Sequence, residues 1–238
     1  PNGGDEVKER VERAVPVEQK ERPAEPDRRD EGDDNLKGRV DFEVVEWPFD
    51  RTLRSPEFLA LNPAGRVPAL ELDGRTIWET GAITEVLCER FPATGMGRMP
   101  GEPERVDWLV WVHFAETLSQ HVAALTQQHI ALREDHMRSP VVMALEAKRA
   151  EKCLAAVAAR LEGRDHLLDG GFSAADVSVG QAVYMARHFA RIEGLPALQA
   201  WYDRISARPG FVASLPVEDD RMLYTRDYYE PWTQEAGP

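Results

Sequence analysis

One stretch, NPAGRVPALELDGRTIWETGAI at positions 62–83, constrains the fold more than any other part of the chain. Its centre holds two short apolar runs separated by Asp73-Gly74. Asp-Gly between such runs is a strong signal for a two-residue hairpin turn, because both turn positions adopt positive φ. We therefore predict two antiparallel strands, Pro68 to Leu72 and Arg75 to Trp78.

Both ends of this hairpin carry residues that a plain hairpin does not need. Val67-Pro68 opens the first strand, and proline belongs at a strand start or an edge because it has no N–H to donate. Glu79-Thr80 follows the second strand, directly before a predicted helix. That helix is predicted from the spacing of the apolar residues before Pro92, which are Ala82, Ile83, Val86, Leu87 and Phe91. An acid followed by a hydroxyl at a helix start is typical of a place that holds a polar group.

Beyond a linker at 93–103, rich in Gly, Met and Pro, the chain has the apolar spacing of helices. Ser139-Pro140 supplies a cap and a first-turn proline, and Ser173-Ala-Ala-Asp176 resembles a capping box with Asp in place of Glu. We therefore predict an all-helical region over 104–215. Its four helices are expected to start near Glu104, at Pro140, at Ser173 and near Pro196, with the second ending near Leu161 and the fourth near Arg208.

The two ends of the chain differ from its middle. Val40 to Glu46 alternates apolar and polar residues, which predicts a strand. Residues 1–39 hold 12 acidic and 9 basic residues, one leucine and no aromatic residue. Such a composition cannot bury enough apolar surface to offset the entropy of ordering, so we predict a disordered or tail-like segment there. The tail at 216–238 carries four large aromatic residues that could cap a hydrophobic pocket or pack on the domain surface: Tyr224, Tyr228, Tyr229 and Trp232.

These features together resemble the cytosolic glutathione transferase superfamily, over about Val40 to Leu215. The resemblance implies an α/β plus all-α fold, in which a thioredoxin-like N-terminal domain at 40–92 precedes a helical C-terminal domain. It rests on four motifs: Asn62-Pro63-Ala-Gly65-Arg66-Val67-Pro68, Glu79-Thr80-Gly-Ala82-Ile83, Ser173-Ala-Ala-Asp176 and Ala207-Arg208-Pro209.

The resemblance implies a binding site for glutathione, which would serve as cosubstrate, at the two ends of the hairpin. In the family the proline equivalent to Pro68 is cis, which would leave the N–H and C=O of Val67 free to pair with the cysteinyl unit. Thr80 and the first amides of the helix would bind the γ-glutamyl carboxylate. Glu79 would face the ligand's ammonium, and Arg66 would reach the glycyl carboxylate.

Structural roles are the alternatives for several of these residues. Val67-Pro68 could serve only to prevent further pairing at the edge of the sheet. Thr80 could be only a helix cap, and Arg66 could be only a solvated side chain. In the family, Ser173 and Asp176 cap a helix and guide folding, so we interpret them as structural. Cys88 and Cys153 are expected to be small buried hydrophobic side chains. We predict no metal, because the eight-residue spacing of the three histidines His113, His121 and His129 puts neighbours about 12 Å apart along a helix.

The residue that would stabilise the glutathione thiolate is missing from the pattern. The family uses a Tyr, Ser or Cys at the end of the first strand, but no such residue precedes Thr52. The catalytic residue is therefore unknown. Three accounts of residues 1–39 are possible. First, they could form a divergent first strand; second, they could be foreign to the domain, through an added sequence, a different start or a shifted reading frame. Third, they could belong to a non-catalytic relative of the family. We favour the second account.

The composition of the chain limits the classes of binding partner and the cellular compartment that we expect. A net charge of −13 argues against nucleic acid and against an anionic membrane surface. Two distant cysteines and the lack of an apolar leader indicate a reducing cytoplasm. The resemblance implies a homodimeric glutathione transferase of detoxification that acts on a small hydrophobic electrophile. The alternative is a non-catalytic interaction or regulatory protein with the same fold.

Overall fold

A computed structural model describes residues 42–48, 50–216 and 222–230. These residues form two compact units, of which the first ends at Glu79 and the second begins at Thr80. The predictions made for residues 1–39 and for Trp232 lie outside the described residues, as does the start of the strand predicted from Val40.

In its described residues, the first unit contains one short helix and one hairpin. A 3-10 turn at Arg51–Arg54 leads into helix α1, Pro56–Leu61. This helix begins where Ser55 Oγ accepts a hydrogen bond from the Phe58 N–H at 3.3 Å, with proline in the first helical position. The Phe58 side chain is buried and packs edge-on against the Trp47 ring, with 5.0 Å between the ring centroids.

The hairpin forms as its turn residues Asp73 and Gly74 predict. Strand β1, Ala69–Leu72, pairs antiparallel with strand β2, Arg75–Trp78. The turn residues between the strands have φ values of 52° at Asp73 and 74° at Gly74, which Asp-Gly turns favour. Leu70 pairs with Ile77, as the turn predicts. The first strand starts one residue later than expected, after the proline rather than on it.

The strand predicted over Val40 to Glu46 is wrong for the part that the structure describes. Residues 42–48 form neither helix nor strand, and the Phe42 and Val44 side chains are exposed. Alternation of apolar and polar residues favours an extended chain, but a strand also needs a partner. In the described ranges, β1 and β2 pair only with each other.

The part of the second unit that the structure describes contains six helices: α2 Thr80–Arg90, α3 Arg105–Thr126, α4 Pro140–Leu161, α5 Ala174–Ala186, α6 Pro196–Ser206 and α7 Pro209–Ser214. Helix α3 packs against both α4 and α5 around a single apolar core. Trp108 on α3 and Trp201 on α6 are fully buried in that core. None of the helices in the described ranges is long and apolar enough to span a bilayer.

Helix α4 starts where its cap predicts, whereas α6 ends two residues before the expected Arg208. Ser139 Oγ accepts from the Val142 N–H at 3.3 Å, so α4 starts at Pro140 as predicted. The helix predicted to end near Arg208 stops at Ser206, and Pro209 opens a separate helix. Proline disfavours the helical conformation in the residue before it, and Arg208 is accordingly extended, with φ −69° and ψ 139°. Short 3-10 turns at Pro92–Thr94 and Asp135–Met137 and a π turn at Gln127–Ala131 complete this unit.

Candidate functional site

The loop before the hairpin is held by one buried amide. The Asn62 side chain is buried, and its Nδ2 donates to the Arg66 carbonyl at 2.6 Å. Its Oδ1 accepts from the Ala64 N–H at 2.9 Å, and its backbone carbonyl accepts from the Gly65 N–H at 2.9 Å. Asn62 therefore fixes the path of the chain immediately before Val67. The sequence motif contained this asparagine, but its role as an organiser of the loop was not predicted.

Gly65 is required by this loop for two reasons. Its φ is +64°, and a Cβ built on it would lie 3.0 Å from the Leu53 carbonyl oxygen.

We expect Gly65→Ala to lower the free energy of unfolding by about 1–2 kcal/mol, the usual cost of a left-handed L-residue, plus the cost of the carbonyl contact. Urea denaturation measures this loss. Gly74→Ala is the matched control, because Gly74 also has positive φ (+74°) but nothing lies within 4 Å of its Cβ position. A loss no larger for Gly65→Ala than for Gly74→Ala would contradict a role for the carbonyl contact.

Val67-Pro68 lies between this loop and β1. The peptide bond is cis, and the Val67 side chain is 56% exposed. Val67 precedes the paired part of the strand, and its backbone makes no hydrogen bond to another described residue. Within the described residues its N–H and C=O are thus unpaired, and an extended peptide could pair with such groups as a short added strand does.

Glu79 lies at the same end of the hairpin. The register pairs Ala69 with Trp78, so Pro68 and Glu79 are the next residues outward on the two strands. Glu79 has a φ of 77°, in the left-handed region that L-residues with side chains rarely adopt, and its side chain is exposed. Residues held in this region cost about 1–3 kcal/mol and cluster at functional sites. The backbone here is bent sharply at the place where the sequence predicts a ligand.

Thr80 is the first residue of α2, not the cap position before it. Its hydroxyl has no hydrogen-bond partner in the described part of the chain, while its carbonyl accepts from Thr84 Oγ1 at 2.8 Å. The first amides of a helix lack intrahelical partners and carry a positive partial charge. Arg66 is exposed, and no interaction of its side chain is seen with the described residues. Its role as a ligand contact stays a prediction.

A set of charged side chains between α2 and α3 was not predicted. Glu85 Oε1 lies 3.0 Å from His113 Nε2, and Glu85 Oε2 lies 3.2 Å from Arg105 Nη2. A Cβ built on Gly81 would lie 3.1 Å from the His113 ring. From the sequence, His113 was considered only as a metal ligand. The helical spacing of Gly81 and Glu85 was the available signal, but it does not say which residue of α3 faces them.

The capping residues of α5 lie in the core. Ser173 and Asp176 are fully buried and form a capping box. Asp176 Oδ2 accepts from the Ser173 N–H at 2.9 Å. Asp176 Oδ1 accepts from the Leu167 N–H at 3.0 Å and from Trp201 Nε1 at 2.9 Å. One carboxylate therefore joins three separate parts of the helical unit.

The aromatic tail packs on the helical unit over its described part, 222–230. Tyr229 is buried, and its N–H donates to the His188 carbonyl at 2.8 Å. The Tyr224 ring stacks on His188 at 4.4 Å, and its hydroxyl lies 2.9 Å from Thr126 Oγ1. The tail thus covers the ends of α3 and α5. Its predicted alternative role as the cap of a substrate pocket stays a prediction.

His129 makes stability depend on pH. Its ring contacts the Phe189 and Tyr229 rings, and burial, together with Arg138 and Arg226, lowers its pKa below the ordinary value of 6.5. At this residue the unfolded chain then binds more protons than the folded chain, so the contribution of His129 to stability is complete above about pH 6.5 and is lost as the pH drops toward the folded-state pKa. We expect His129→Gln to flatten this fall between pH 7.5 and 5, measured by urea denaturation. The exposed control His136→Gln should leave the fall unchanged, and an unchanged slope in His129→Gln would contradict the prediction.

Neither cysteine has the environment of a reactive thiol. Cys88 is buried, and burial raises its pKa to about 11, while burial also raises the pKa of Cys153. In the described ranges, no group of three or more His, Cys, Asp or Glu side chains is placed to hold a metal ion.

Comparison with known proteins agrees with this geometry. Two family models match the chain, the glutathione S-transferase N-terminal domain over residues 35–90 and the C-terminal domain over residues 110–204. Glutathione S-transferase 3 of Zea mays is 29% identical over 200 residues, which is 77% of this chain and 86% of that protein. Glutathione S-transferase 4 of Zea mays is 32% identical over 178 residues, covering 71% of this chain and 78% of that protein.

Solved structures give the same result. A sphingomonad glutathione S-transferase complexed with glutathione matches at 29% identity with a TM-score of 0.57, covering 67% of this chain and 77% of its own. A glutathione S-transferase from Xanthobacter autotrophicus Py2 matches at 30% identity with a TM-score of 0.62, covering 71% and 82%. The protein thus has a thioredoxin-like domain followed by a helical domain. It belongs to the cytosolic glutathione S-transferase superfamily.

Proposed function

We propose that this protein is a glutathione-dependent transferase acting on a small, apolar, electrophilic substrate. The observation that carries the proposal is the free backbone of Val67 at the same hairpin end as Glu79. Glutathione is an extended peptide with a zwitterionic γ-glutamyl end. A binding site for it needs a strand-like edge for the peptide and a polar place for the zwitterion, and these two features supply them.

Each proposed contact follows from the chemistry of one residue. The Val67 N–H and C=O pair with the cysteinyl unit. Pro68, which has no N–H to donate, is the last residue of this backbone edge before β1 begins. The Thr80 hydroxyl and the first amides of α2 bind the γ-glutamyl carboxylate. The Glu79 carboxylate faces the ammonium, and Arg66 reaches the glycyl carboxylate. The sphingomonad relative, solved with glutathione, supports this choice of ligand.

The proposed chemistry is the reaction of the glutathione thiolate with the electrophile. The thiol releases its proton to solvent, and the thiolate sulfur forms a bond to an electrophilic carbon, either by addition with uptake of a proton at the neighbouring atom or by substitution with departure of a leaving group. Isomerisation, in which the sulfur leaves again and glutathione is regenerated, is the third alternative. The protein holds the two reactants together, which supplies orientation. The residue that stabilises the thiolate is unassigned, since no hydroxyl or thiol side chain precedes Thr52.

We also propose that the protein works as a homodimer, in detoxification, in the cytoplasm. Val106 and Val110 lie one turn apart on α3 and are 73% and 52% exposed, which supports an apolar contact surface on this helix. The free state of Cys88 and Cys153 supports a reducing compartment. Light scattering of the full chain measures the oligomeric state, and a monomer at micromolar concentration would contradict the dimer.

Calorimetric titration of glutathione at neutral pH, in two buffers of different ionisation enthalpy, tests the function. Saturable binding with proton release to the buffer is expected, because a transferase favours the thiolate. Binding without proton release would contradict catalysis and leave a glutathione-binding protein. The absence of binding would favour the second candidate, a non-catalytic interaction protein, which the missing thiolate stabiliser supports.

A further inference from the structure

The described part of the aromatic tail is held to the helical unit at His188. The Tyr229 N–H donates to the His188 carbonyl at 2.8 Å, and His188 Nδ1 lies 2.9 Å from the Arg226 carbonyl oxygen. A carbonyl oxygen can only accept, so Nδ1 of His188 carries a proton and donates. The Tyr224 ring stacks on the same imidazole, with 4.4 Å between the ring centroids. Two hydrogen bonds and one stacked pair therefore join the tail to the residue two positions beyond the end of α5.

His129 is a titratable side chain in contact with this tail. It lies in the π turn Gln127–Ala131 at the end of α3. Its ring centroid is 5.4 Å from that of Phe189 and 5.7 Å from that of Tyr229. Both of these aromatic residues are buried, and their rings stack at 5.4 Å. The imidazole thus packs against one ring that follows α5 and one ring of the tail.

Two arginines add positive charge around this imidazole. Arg226 lies in the tail itself, and Arg138 lies in the segment before α4. Burial is the largest of the causes that hold the pKa of His129 below its ordinary value, and these two guanidinium groups add to it. Asp135 Oδ1 lies 3.0 Å from Arg138 Nη1 and compensates part of that charge. Arg226 is thus the cation whose distance from His129 depends on whether the tail is bound.

The other titratable groups around the tail keep their hydrogen bonds between about pH 5 and pH 8. His188 Nδ1 donates to the Arg226 carbonyl whether the ring is neutral or protonated. Burial raises the pKa of Tyr224, so its hydroxyl stays protonated and within 2.9 Å of Thr126 Oγ1. His129 is therefore the group through which a proton acts on the tail.

Binding of a proton and binding of the tail oppose each other at His129. The bound tail places the Tyr229 ring against the imidazole and Arg226 near it. The ring excludes water and the guanidinium adds like charge, so both disfavour the imidazolium ion. Without the tail, the imidazole regains water and the guanidinium moves away, so a proton binds more tightly to the released state. By linkage, protonation weakens tail binding by the same free energy.

We infer that residues 222–230 form a pH-sensitive strap, which protonation of His129 releases from the end of α5 while the helical core stays folded. Six of these nine residues are exposed, and Tyr229 is the buried one. The core between α3, α4 and α5 is built mainly from other side chains, among them Trp108 and Trp201. A segment with few buried contacts opens at a lower free energy than a core helix, so the strap can leave first.

Amide hydrogen exchange of the full chain, followed by NMR at pH 7.5 and 5.5 and corrected for intrinsic exchange rates, tests the inference. The Tyr229 amide reports strap release, because its acceptor is the His188 carbonyl. Its protection is expected to fall by up to about tenfold at pH 5.5, one unit below the ordinary histidine pKa of about 6.5. Backbone amides buried in α3 and α5 should keep their protection. The measurement needs no ligand, so its outcome is independent of the proposed function.

Two variants and a control separate strap release from general acid sensitivity. His129→Gln removes the titratable ring, so protection of the Tyr229 amide should no longer fall with pH. Arg226→Gln keeps the imidazole but removes the charge beside it, so the fall should become smaller. His136→Gln, at an exposed histidine in the 3-10 turn Asp135–Met137, should leave the fall unchanged.

Equal protection of the Tyr229 amide at both pH values in the unmodified protein would overturn the inference. So would a parallel loss of protection in α3 and α5, since the pH would then act on the whole unit. If His129→Gln loosens the strap at both pH values, Arg226→Gln decides. A smaller fall with pH in that variant supports the inference, and an unchanged fall overturns it.

Discussion

Replacing Asp176 by alanine is expected to lower the free energy of unfolding by about 3–5 kcal/mol, because three buried N–H donors lose their acceptor. These donors are the Leu167 and Ser173 amides and the Trp201 indole, each within 3.0 Å of the carboxylate. Asp176 is fully buried, so these donors do not lie beside bulk solvent. Urea denaturation at pH 7 measures the loss as a lower midpoint.

Ser173→Ala is the matched comparison for this variant. It removes the hydroxyl that accepts from the Ala175 N–H at 3.3 Å but keeps the carboxylate and its three other donors. The usual cost of losing a cap residue is about 0.5–2 kcal/mol. If Asp176→Ala costs no more than Ser173→Ala, then Asp176 is only a cap and does not join the separate parts of the core.

Replacing Glu79 by glutamine is expected to weaken glutathione binding about tenfold or more. The change removes the negative charge that would face the ligand's ammonium, and charge-assisted hydrogen bonds are roughly twice as strong as neutral ones. Glutamine has the same size and branching as glutamate, so the cost of the left-handed backbone at this position is unchanged. Calorimetric titration gives the Kd, and urea denaturation should show equal stability.

Glu71→Gln serves as the control for charge alone. Glu71 is an exposed acid on β1 of the same hairpin and has no proposed ligand contact. Its replacement changes the net charge by the same amount and should leave the Kd unchanged. Equal glutathione binding by Glu79→Gln and the unmodified protein would contradict the assignment of Glu79 to the site.

Local chemistry explains which parts of the fold were predictable. The hairpin was predictable because Asp73-Gly74 specifies its own turn, and α4 and α5 were predictable because Ser139 and Ser173 specify their own starts. The strand expected over Val40 to Glu46 depends on a partner elsewhere in the chain, and alternation alone cannot supply one. Helix α6 ends at Ser206, two residues before the expected Arg208, and Pro209, interpreted from the sequence only as a stop, also opens α7.

The residues of the candidate site also divide into those that the sequence pattern indicates and those that it does not. Val67, Pro68, Glu79 and Thr80 could be proposed from the sequence because they are close in sequence and lie at defined positions of a hairpin and a helix. His113 was not found, because its approach to Gly81 and Glu85 depends on how α2 and α3 pack. Asn62 was present in the motif, but a buried side chain that bonds to its own loop leaves no periodic signal in the sequence.

The hydrogen bonds of Asn62 also affect the thermodynamics of recognition. They close the loop before Val67 with groups that belong to the protein alone. The conformational entropy of this loop is therefore lost when the chain folds and not when a peptide arrives. A ligand at the proposed edge would meet a preorganised template, and its contacts would contribute to affinity without the opposing cost of ordering the loop.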